Sequence, residues 1–348
     1  MKAAVLYAKG DIRYADYEEP QVGPGQVKVA VKAVGVCGSD IPRVWGDAAH
    51  FFPVVLGHEF SGVVTAVGEG VTRVAVGDHV SGAPLVPCMT CEVCQQGFYS
   101  QCKSYSFIGS REQGAFGEYV VMPEANAVPL DPAVPFTVGA FIEPSTVGLH
   151  GLFCAEYRAG EDVAILGGGT IGLLTAQWCK IFGAKSVSVF DIDNDRLAVA
   201  RELGMEHTFN TLEAGYQEQA LAVTGGKGFG FVFETAGNPI TMNMAFDLAA
   251  AKASVCFIGT SPKPVSFDAK RFELMNRKEF RLTGSWMSFS APFPGREWSL
   301  TAHYMATGQF KVIPGMLHAT YPLSQCKEAF DEFQIPGRVK GKIMFVND

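Results

Sequence analysis

Six residues near the middle of the chain, Gly167-Gly168-Gly169-Thr170-Ile171-Gly172, constrain the fold more than any other segment. They contain the spacing G-x-G-x-x-G and stand between an apolar run, residues 163–166, and a helical pattern that begins at Thr170. Gly167 permits a tight turn, Gly169 lets the backbone approach a pyrophosphate, and Gly172 lets the helix pack closely on the strand. The helix N-terminus, with Thr170 and Ile171, then faces the phosphate charge. This order of strand, turn and helix predicts a dinucleotide-binding βαβ unit.

A carboxylate follows at the distance that such a unit requires. The next predicted strand, residues 186–190, leads into Asp191, and Arg196 follows as a further cofactor contact. A carboxylate at this position accepts hydrogen bonds from the adenosine ribose and repels a 2′-phosphate, which favours NAD over NADP. The alternative is a glycine turn followed by a surface aspartate. Strand, turn, helix and acid all stand in register, so dinucleotide binding is the better interpretation.

The pattern of predicted strands and helices changes along the chain. At 348 residues it exceeds what one hydrophobic core organises. Short alternating strands separated by Gly and Pro fill residues 1–145 and indicate an antiparallel, barrel-like β domain. Strands alternating with helices over 146–285 predict a doubly wound parallel sheet of the Rossmann type. We expect the tail, residues 286–348, to fold back onto the first domain.

Composition and charge exclude several partners. The net charge is −7 and the basic residues are scattered, which argues against nucleic acid. The longest uncharged run, residues 163–179, is interrupted by glycines and is better explained as a buried strand, turn and helix than as a membrane span. The apolar N-terminal run is too short for a secretory signal, so we expect a cytoplasmic protein. In that compartment, clustered cysteines indicate a metal or catalysis before disulfides.

Four of the nine cysteines, Cys88, Cys91, Cys94 and Cys102, follow the pattern C-x2-C-x2-C-x7-C. Tight turns of this kind present thiolates to one tetrahedral Zn²⁺, and a centre with four protein ligands is structural. An iron–sulfur cluster is the alternative, because it also uses closely spaced cysteines. The surrounding residues are typical of a surface lobe, which favours zinc. The other cysteines, in apolar stretches, are expected to be small buried side chains; they are Cys154, Cys179, Cys256 and Cys326.

A second group of metal-binding residue types is dispersed along the chain. Cys37 ends a predicted strand, and His58 and Glu59 follow an apolar run. Glu143 lies where the short strands give way to alternating strands and helices. A thiolate, an imidazole and a carboxylate are good zinc ligands and leave a fourth position open. Spacing alone does not join them, since a buried histidine beside a surface acid has the same appearance.

The motifs taken together resemble the zinc-containing medium-chain dehydrogenases. The resemblance lies in the residue patterns G-V-C-G-S-D and G-H-E-F-S-G, the four-cysteine lobe, the pair Glu143-Pro144 and the glycine fingerprint, in that order over essentially the whole chain. It implies a GroES-like catalytic domain (1–145 and 286–348), a Rossmann domain (146–285) and two zinc ions per chain. Cys37, His58 and either Glu59 or Glu143 would hold the catalytic ion, with the two glutamates exchanging during turnover.

The glutamate before Pro144 resembles the polyol and threonine dehydrogenase branch. Three further segments, residues 98–102, 107–111 and 284–287, resemble the enzymes of this branch that act on galactitol 1-phosphate. The resemblance therefore implies NAD-dependent oxidation of a secondary alcohol, with galactitol 1-phosphate to tagatose 6-phosphate as the expected reaction. Sorbitol, threonine or another secondary alcohol is the alternative substrate. A non-catalytic NAD-binding relative and a zinc-ribbon protein are the alternatives outside enzymes.

The same resemblance suggests roles for the remaining site residues. Ser39 matches the position that relays the hydroxyl proton, although capping of the loop after Cys37 explains it equally well. The nicotinamide end of the cofactor would contact Gly259, Thr260 and Ser285. For a phosphorylated substrate the candidate cations are Arg43 and Arg111, with His50 as a further polar contact. Relatives are dimers or tetramers, so we expect a homodimer or homotetramer.

Overall fold

The computed structural model describes residues 1–347, which divide into two compact units. The first combines Met1–Glu143 with the segment from Phe289 onward, and the second is Pro144–Ser288. The strands are β1 (Lys2–Ala8), β2 (Asp11–Asp16), β3 (Gln26–Gly35), β4 (Val54–Val55), β5 (Glu59–Val67), β6 (His79–Gly82), β7 (Leu85–Val86), β8 (Ser106–Phe107), β9 (Tyr119–Pro123), β10 (Ala127–Pro129), β11 (Asp162–Leu166), β12 (Ser186–Asp191), β13 (His207–Asn210), β14 (Phe229–Glu234), β15 (Ala249–Phe257), β16 (Arg281–Gly284), β17 (Leu317–Pro322) and β18 (Lys342–Val346).

The helices are mostly short in the first unit and longer in the second. They are α1 (Ile41–Val44), α2 (Glu92–Gln95), α3 (Phe136–Gly139), α4 (Ile142–Cys154), α5 (Thr170–Ile181), α6 (Asn194–Glu202), α7 (Tyr216–Val223), α8 (Pro239–Leu248), α9 (Ala269–Lys278), α10 (Arg296–Ala306) and α11 (Cys326–Asp331). None of the helices within residues 1–347 is long and apolar enough to cross a membrane. The uncharged run 163–179 forms most of β11, the glycine turn and most of α5.

The first unit is a β domain built around a seven-stranded sheet. Its strands lie in the order β10-β6-β5-β3-β18-β17, and β9 also pairs with β3. Along β3 the valines at 27, 29 and 31 are buried while the residues between them are half-buried, so one face of the strand packs on the core. A separate three-stranded sheet has the order β2-β1-β4. This unit confirms the predicted GroES-like β architecture.

One pairing in this sheet differs from the antiparallel arrangement predicted from the sequence. β17 and β18 pair in parallel, whereas β18 pairs antiparallel with β3, with Met344 opposite Gly35. Parallel neighbours need a crossover connection, and here α11 lies in the chain between them. The pairing places Lys342, at the start of β18, beside the C-terminal end of β3.

The second unit has a six-stranded parallel sheet with the order β13-β12-β11-β14-β15-β16. Its central strands are buried on both faces, as in β11, where the four residues after Asp162 are all buried. The strand order reverses direction between β11 and β14, the position at which such sheets bind ligands beyond their carboxyl ends. The arrangement confirms the predicted doubly wound Rossmann fold.

Candidate active site and metal centres

Three predicted metal ligands meet at one end of the seven-stranded sheet. Cys37 follows β3 by two residues, while His58 and Glu59 stand at the start of β5. β3 and β5 pair antiparallel with Gly35 opposite Glu59, so the end of one strand lies beside the beginning of the other. The Sγ atom, an imidazole nitrogen and a carboxylate oxygen of the three residues lie within 4.8 Å of one another. The sheet register thus joins residues that lie far apart in the sequence.

The chemistry of these three groups fits a zinc ion. His58 is 4% exposed, and its Nδ1 is buried without a hydrogen-bond partner among the described residues. Burial and the negative charge of Glu59 raise the pKa of Cys37 to about 12. A divalent cation opposes both effects, because it stabilises the thiolate and the carboxylate together. Three protein ligands of this kind leave a coordination position open, as in catalytic zinc sites.

Glu143 lies in the first turn of α4 and is buried beside this group, although it is not one of the three mutually close residues. Burial raises the pKa of Glu143 to about 8, the charge of His58 opposes this increase, and Glu59 adds to it. Of the two glutamates that the sequence left open, Glu59 is therefore the one grouped with Cys37 and His58. Glu143 interacts electrostatically with all three of them.

Two residues with no predicted role also belong to this site. Asp40 is fully buried, accepts a hydrogen bond from the Cys37 backbone N–H at 3.0 Å, and has Oδ1 3.7 Å from His58 Nδ1. Neither of these two atoms has a hydrogen-bond partner among the described residues, so the two side chains are close but not hydrogen-bonded. Lys342 is 7% exposed, and its Nζ lies 2.6 Å from Glu59 Oε2. Burial alone would lower the pKa of Lys342. The negative charges of Glu59 and Cys37 have the larger combined effect, so the pKa of Lys342 is raised.

Sequence signals for both residues existed but were weak. Asp40 stands inside the motif G-V-C-G-S-D, three residues after Cys37, which is a suitable spacing for a loop to return its carboxylate. Lys342 is the single charged residue in the apolar strand K-I-M-F-V. A lysine at a strand end is ordinarily solvated, and only the pairing of β18 with β3 reveals its burial.

Ser39 and Arg43 interact directly in the loop after Cys37. Arg43 Nη1 donates to the Ser39 carbonyl at 2.6 Å and to its Oγ at 2.8 Å. The N-cap residue of α1 is Asp40, without a side-chain capping bond, so Ser39 does not cap this helix. The Ser39 hydroxyl is instead held in place by a guanidinium group.

Of the three predicted substrate contacts, His50 interacts electrostatically with both Arg43 and Arg111. Burial lowers the pKa of His50, and the positive charges of Arg111 and Arg43 lower it further. The Arg111 guanidinium lies over the Tyr105 ring, 4.6 Å from its centre, which restrains an otherwise exposed side chain. Arg43 Nη1 is also 3.6 Å from Asp40 Oδ1, so this basic cluster (Arg43, His50, Arg111) adjoins the group around His58.

The four cysteines form a second, separate centre. The Sγ atoms of Cys88, Cys91, Cys94 and Cys102 lie within 4.8 Å of one another, and two of the pairs are 4.0 and 3.9 Å apart. Four thiolates placed about 2.3 Å from one tetrahedral Zn²⁺ are separated by about 3.8 Å. All nine cysteines are free, so none of these sulfurs forms a disulfide.

Backbone N–H groups also donate hydrogen bonds to the sulfur atoms of this four-cysteine lobe. The N–H groups of Cys88 and Cys91 donate to the sulfurs of Cys102 and Cys88, both at 3.3 Å. Hydrogen bonds from the backbone of Thr90 and Cys91 lower the pKa of Cys88 to about 6. Sulfurs this close surround a single ion and leave no space for an iron–sulfur cluster between them. The set therefore suits a structural zinc.

The glycine fingerprint occupies the turn between β11 and α5. Gly167 has φ +111°, a conformation that favours glycine. A Cβ on Gly172 would lie 1.8 Å from the Gly167 carbonyl oxygen, whereas a Cβ on Gly169 would meet nothing within 4 Å. Gly169 is the N-cap of α5, and Thr170 and Ile171 form its first turn. Gly172 thus allows the start of α5 to pack closely against the Gly167 turn, while Gly169 faces open space at the helix N-terminus.

Asp191 ends β12 beside this turn. Its Oδ2 accepts a hydrogen bond from the Gly168 N–H at 2.7 Å and its Oδ1 from the Asp193 N–H at 2.9 Å. Arg196 Nη1 is 3.7 Å from Asp191 Oδ2. The carboxylate is therefore fixed against the glycine turn with a cation next to it.

The predicted nicotinamide contacts follow the C-terminal ends of β15 and β16. A Cβ on Gly259 would lie 2.2 Å from the Gly237 backbone nitrogen, so only glycine fits this turn, and Thr260 comes next in the chain. Ser285 follows β16, and its Oγ is buried without a hydrogen-bond partner among residues 1–347. A buried, unpaired hydroxyl at this end of a parallel sheet is available to a ligand.

Comparison with known families gives matches in both units. Residues 23–132 match the alcohol dehydrogenase GroES-like domain, and residues 170–302 match the zinc-binding dehydrogenase model. Galactitol 1-phosphate 5-dehydrogenase of Escherichia coli (strain K12) is 39% identical over 319 residues, which is 91% of this chain and 92% of that protein. Sorbitol dehydrogenase of Bacillus subtilis (strain 168) is 32% identical over 265 residues, 74% of this chain and 75% of that protein.

Solved structures show the same relationship. The crystal structure of galactitol-1-phosphate dehydrogenase from Escherichia coli superposes with a TM-score of 0.94 at 37% identity, covering 100% of both chains. A zinc-binding dehydrogenase from Sinorhizobium meliloti 1021, bound to NADP, gives 0.89 at 29% identity and covers 99% of both chains. The chain therefore belongs to the zinc-binding alcohol dehydrogenase family and is a dehydrogenase of its polyol-oxidising group.

Proposed function

We propose that the enzyme oxidises a secondary hydroxyl of galactitol 1-phosphate to give tagatose 6-phosphate, with hydride transfer to NAD. The observation that carries this proposal is the convergence of Cys37, His58 and Glu59 beside a basic cluster. The first group supplies an open metal site, and the second supplies charge for a phosphate. A free polyol would need only the first.

Two zinc ions per chain are part of the proposal. Cys37, His58 and Glu59 would hold the catalytic ion, with Glu143 as the exchanging carboxylate, and the four-cysteine lobe would hold the structural one. When bound, the catalytic ion supplies a Lewis acid that lowers the pKa of a hydroxyl group. Asp40, 3.7 Å from His58 Nδ1, would orient the ring once the ion is bound. The Ser39 hydroxyl, positioned by Arg43, can accept the departing proton and pass its own to solvent.

Phosphate recognition is assigned to the basic cluster. Guanidinium groups bind phosphate through paired, charge-assisted hydrogen bonds. Stacking on Tyr105 limits the mobility of Arg111 before substrate arrives, so less conformational entropy is lost on binding. His50 has a lowered pKa, and a bound phosphate dianion would favour its protonation and add a third positive charge.

NAD is the proposed cofactor. Gly169 and the N-terminus of α5 would receive the pyrophosphate, and Asp191 would accept from the ribose hydroxyls. Its negative charge disfavours the 2′-phosphate of NADP, although Arg196 at 3.7 Å weakens this discrimination. Among the similar solved structures, one is bound to NADP and another is complexed with NADH. The buried Ser285 hydroxyl would bind the carboxamide of the nicotinamide.

A substrate panel tests the proposal. Initial rates of NADH and NADPH formation would be measured with galactitol 1-phosphate, galactitol, sorbitol, threonine and 2,3-butanediol, each with and without a zinc chelator. We expect the highest kcat/KM for galactitol 1-phosphate with NAD, and loss of activity after removal of the catalytic zinc. A higher kcat/KM for sorbitol or another unphosphorylated alcohol would contradict the substrate assignment, and chelator-resistant turnover would contradict the zinc chemistry.

We also propose a homo-oligomer in the cytoplasm. β16 is the edge of the six-stranded sheet, and Leu282 and Trp286, on and just after it, are 40% and 54% exposed. An edge strand with apolar side chains can pair with its equivalent across a two-fold axis. Light scattering coupled to size-exclusion chromatography should show dimers or tetramers, and Leu282→Lys should shift the mass downward. An unchanged mass would place the interface elsewhere.

A further inference from the structure

Lys342 is buried against a proposed zinc ligand, and the reaction described above does not use it. Its side chain is 7% exposed, and that of Glu59 is 2% exposed. A lysine in such surroundings is rare unless it is paired, since burial of an isolated ammonium group is strongly unfavourable. The interaction with Glu59 is therefore the reason that this lysine is tolerated.

The contacts of Lys342 tie its ammonium group to Glu59. Nζ donates to Glu59 Oε1 at 2.8 Å and to the Val36 carbonyl oxygen at 3.1 Å, and it forms an ion pair with Glu59 Oε2 at 2.6 Å. Oε2 accepts no hydrogen bond from the described residues. The carboxylate is thus paired with one cation through a hydrogen bond and through charge.

Gly35 provides the space for this arrangement. A Cβ at residue 35 would lie 2.5 Å from Glu59 Oε2 and 3.2 Å from Lys342 Cδ. Gly35 is opposite Glu59 in one strand pair and opposite Met344 in another, so the carboxylate and the ammonium meet above it. The absence of a side chain at residue 35 lets β5 and β18 bring these two groups together.

We infer that Lys342 is a positioning residue that competes with the catalytic zinc for the Glu59 carboxylate. Because the ammonium group is paired with this carboxylate, Glu59 would be a weak and exchangeable ligand. Lys342 donates no hydrogen bond to Cys37 or His58 among the described residues, so these two would hold the ion more firmly. The site can then admit the substrate hydroxyl without losing the metal. This inference rests on the proposed zinc site.

Zinc release tests the inference independently of turnover. The holoenzyme would be mixed with excess 4-(2-pyridylazo)resorcinol, and the kinetic phase absent from Cys37→Ala would identify the catalytic ion. In Lys342→Met, Glu59 becomes a full ligand, so release should slow by about tenfold, the scale of outer-shell effects on metal sites. The KM for galactitol 1-phosphate should rise, because the position that it uses is occupied more often.

Two controls separate positioning from general damage. In a Glu59→Gln background, Lys342→Met should leave zinc release unchanged, because the contested carboxylate is gone. Lys278 offers a matched lysine in the other unit, since its Nζ donates to three acceptors, the carbonyls of Phe246, Asp247 and Ala249. Lys278→Met should release zinc at the wild-type rate. If Lys342→Met does not fold, Lys342→Gln, which keeps N–H donors without charge, should still slow release.

The possible outcomes are distinguishable. Release from Lys342→Met at the wild-type rate or faster would overturn the competitive role. Equal slowing in the Glu59→Gln background would also overturn it, since the effect would not pass through Glu59. Wild-type protein that yields only one zinc per chain would instead refute the proposed catalytic site.

Discussion

Two glycines of the fingerprint should respond in opposite ways to the same added methyl group. In Gly172→Ala, the Cβ would lie 1.8 Å from the Gly167 carbonyl oxygen, far inside the 3.4 Å at which ordinary contact begins. The turn must shift, at a cost of about 1–3 kcal/mol. In Gly169→Ala, the backbone angles of −74° and −175° suit alanine, and no atom lies within 4 Å of the Cβ. The free protein should then be unchanged, or stabilised by about 0.4–1 kcal/mol.

In Gly169→Ala, the unfavourable effect should appear only when NAD binds. If the pyrophosphate approaches the backbone at this residue, a methyl group there costs a similar 1–3 kcal/mol, which is about 5- to 150-fold in NAD affinity. At 100 times the wild-type Kd, NAD stabilises the wild-type protein by about 2.7 kcal/mol. A hundredfold loss of affinity would leave about 0.4 kcal/mol of this stabilisation.

Thermal unfolding with and without NAD measures both quantities. Gly172→Ala should lower the Tm of the free protein by about 2–12 °C, whereas Gly169→Ala should leave it in place but lose most of the NAD-induced rise. A normal NAD-induced rise in Gly169→Ala would show that the pyrophosphate does not bind at this turn. An unchanged Tm in Gly172→Ala would refute the steric argument.

Three further outcomes concern the first unit. Arg111→Ala should raise the KM for galactitol 1-phosphate about ten- to a hundredfold, because the phosphate loses charge-assisted hydrogen bonds. The KM for galactitol should stay unchanged. Equal effects on both substrates would show that Arg111 does not bind the phosphate. His50 should titrate below 6.5 by NMR, because burial and the neighbouring arginines disfavour its charged form, and its pKa should rise in Arg111→Ala; an unchanged value would separate the two residues. Cys102→Ser should lose one zinc per chain by elemental analysis and make the lobe sensitive to proteases, whereas Cys154→Ser, outside the lobe, should keep both ions.

Local pattern was sufficient for much of the fold. The strand predicted at residues 186–190 extends by one residue, to Asp191, and the helix predicted from Thr170 begins there. Strands and helices of this kind are set by the periodicity of apolar residues, which the sequence displays directly. The apolar run 163–166 forms β11, which begins one residue earlier because Asp162 pairs with Ser186, so element boundaries depend on the neighbouring strand.

The site could be predicted only where its residues carry a chemical signature. Cysteine spacing and the glycine turn are such signatures, and resemblance to a family supplied Cys37, His58 and Glu59. Lys342 had neither, because its role arises from a contact across 283 positions of sequence. Contacts of this range are created by sheet topology, and no local pattern around a lone lysine encodes them.

The interrupted layout of the first unit has a consequence for how the protein is made. The parallel-sheet unit is encoded without a break and has all its strands once Ser288 leaves the ribosome. The β unit must wait for β18, because β3 has no partner on that side until residues up to Val346 emerge. Domains fold as units during synthesis, so the nucleotide-binding half should mature while its companion is still held open. Nascent chains stalled at a length at which Ser288 has just left the ribosome should therefore bind NAD but should not yet hold the catalytic zinc.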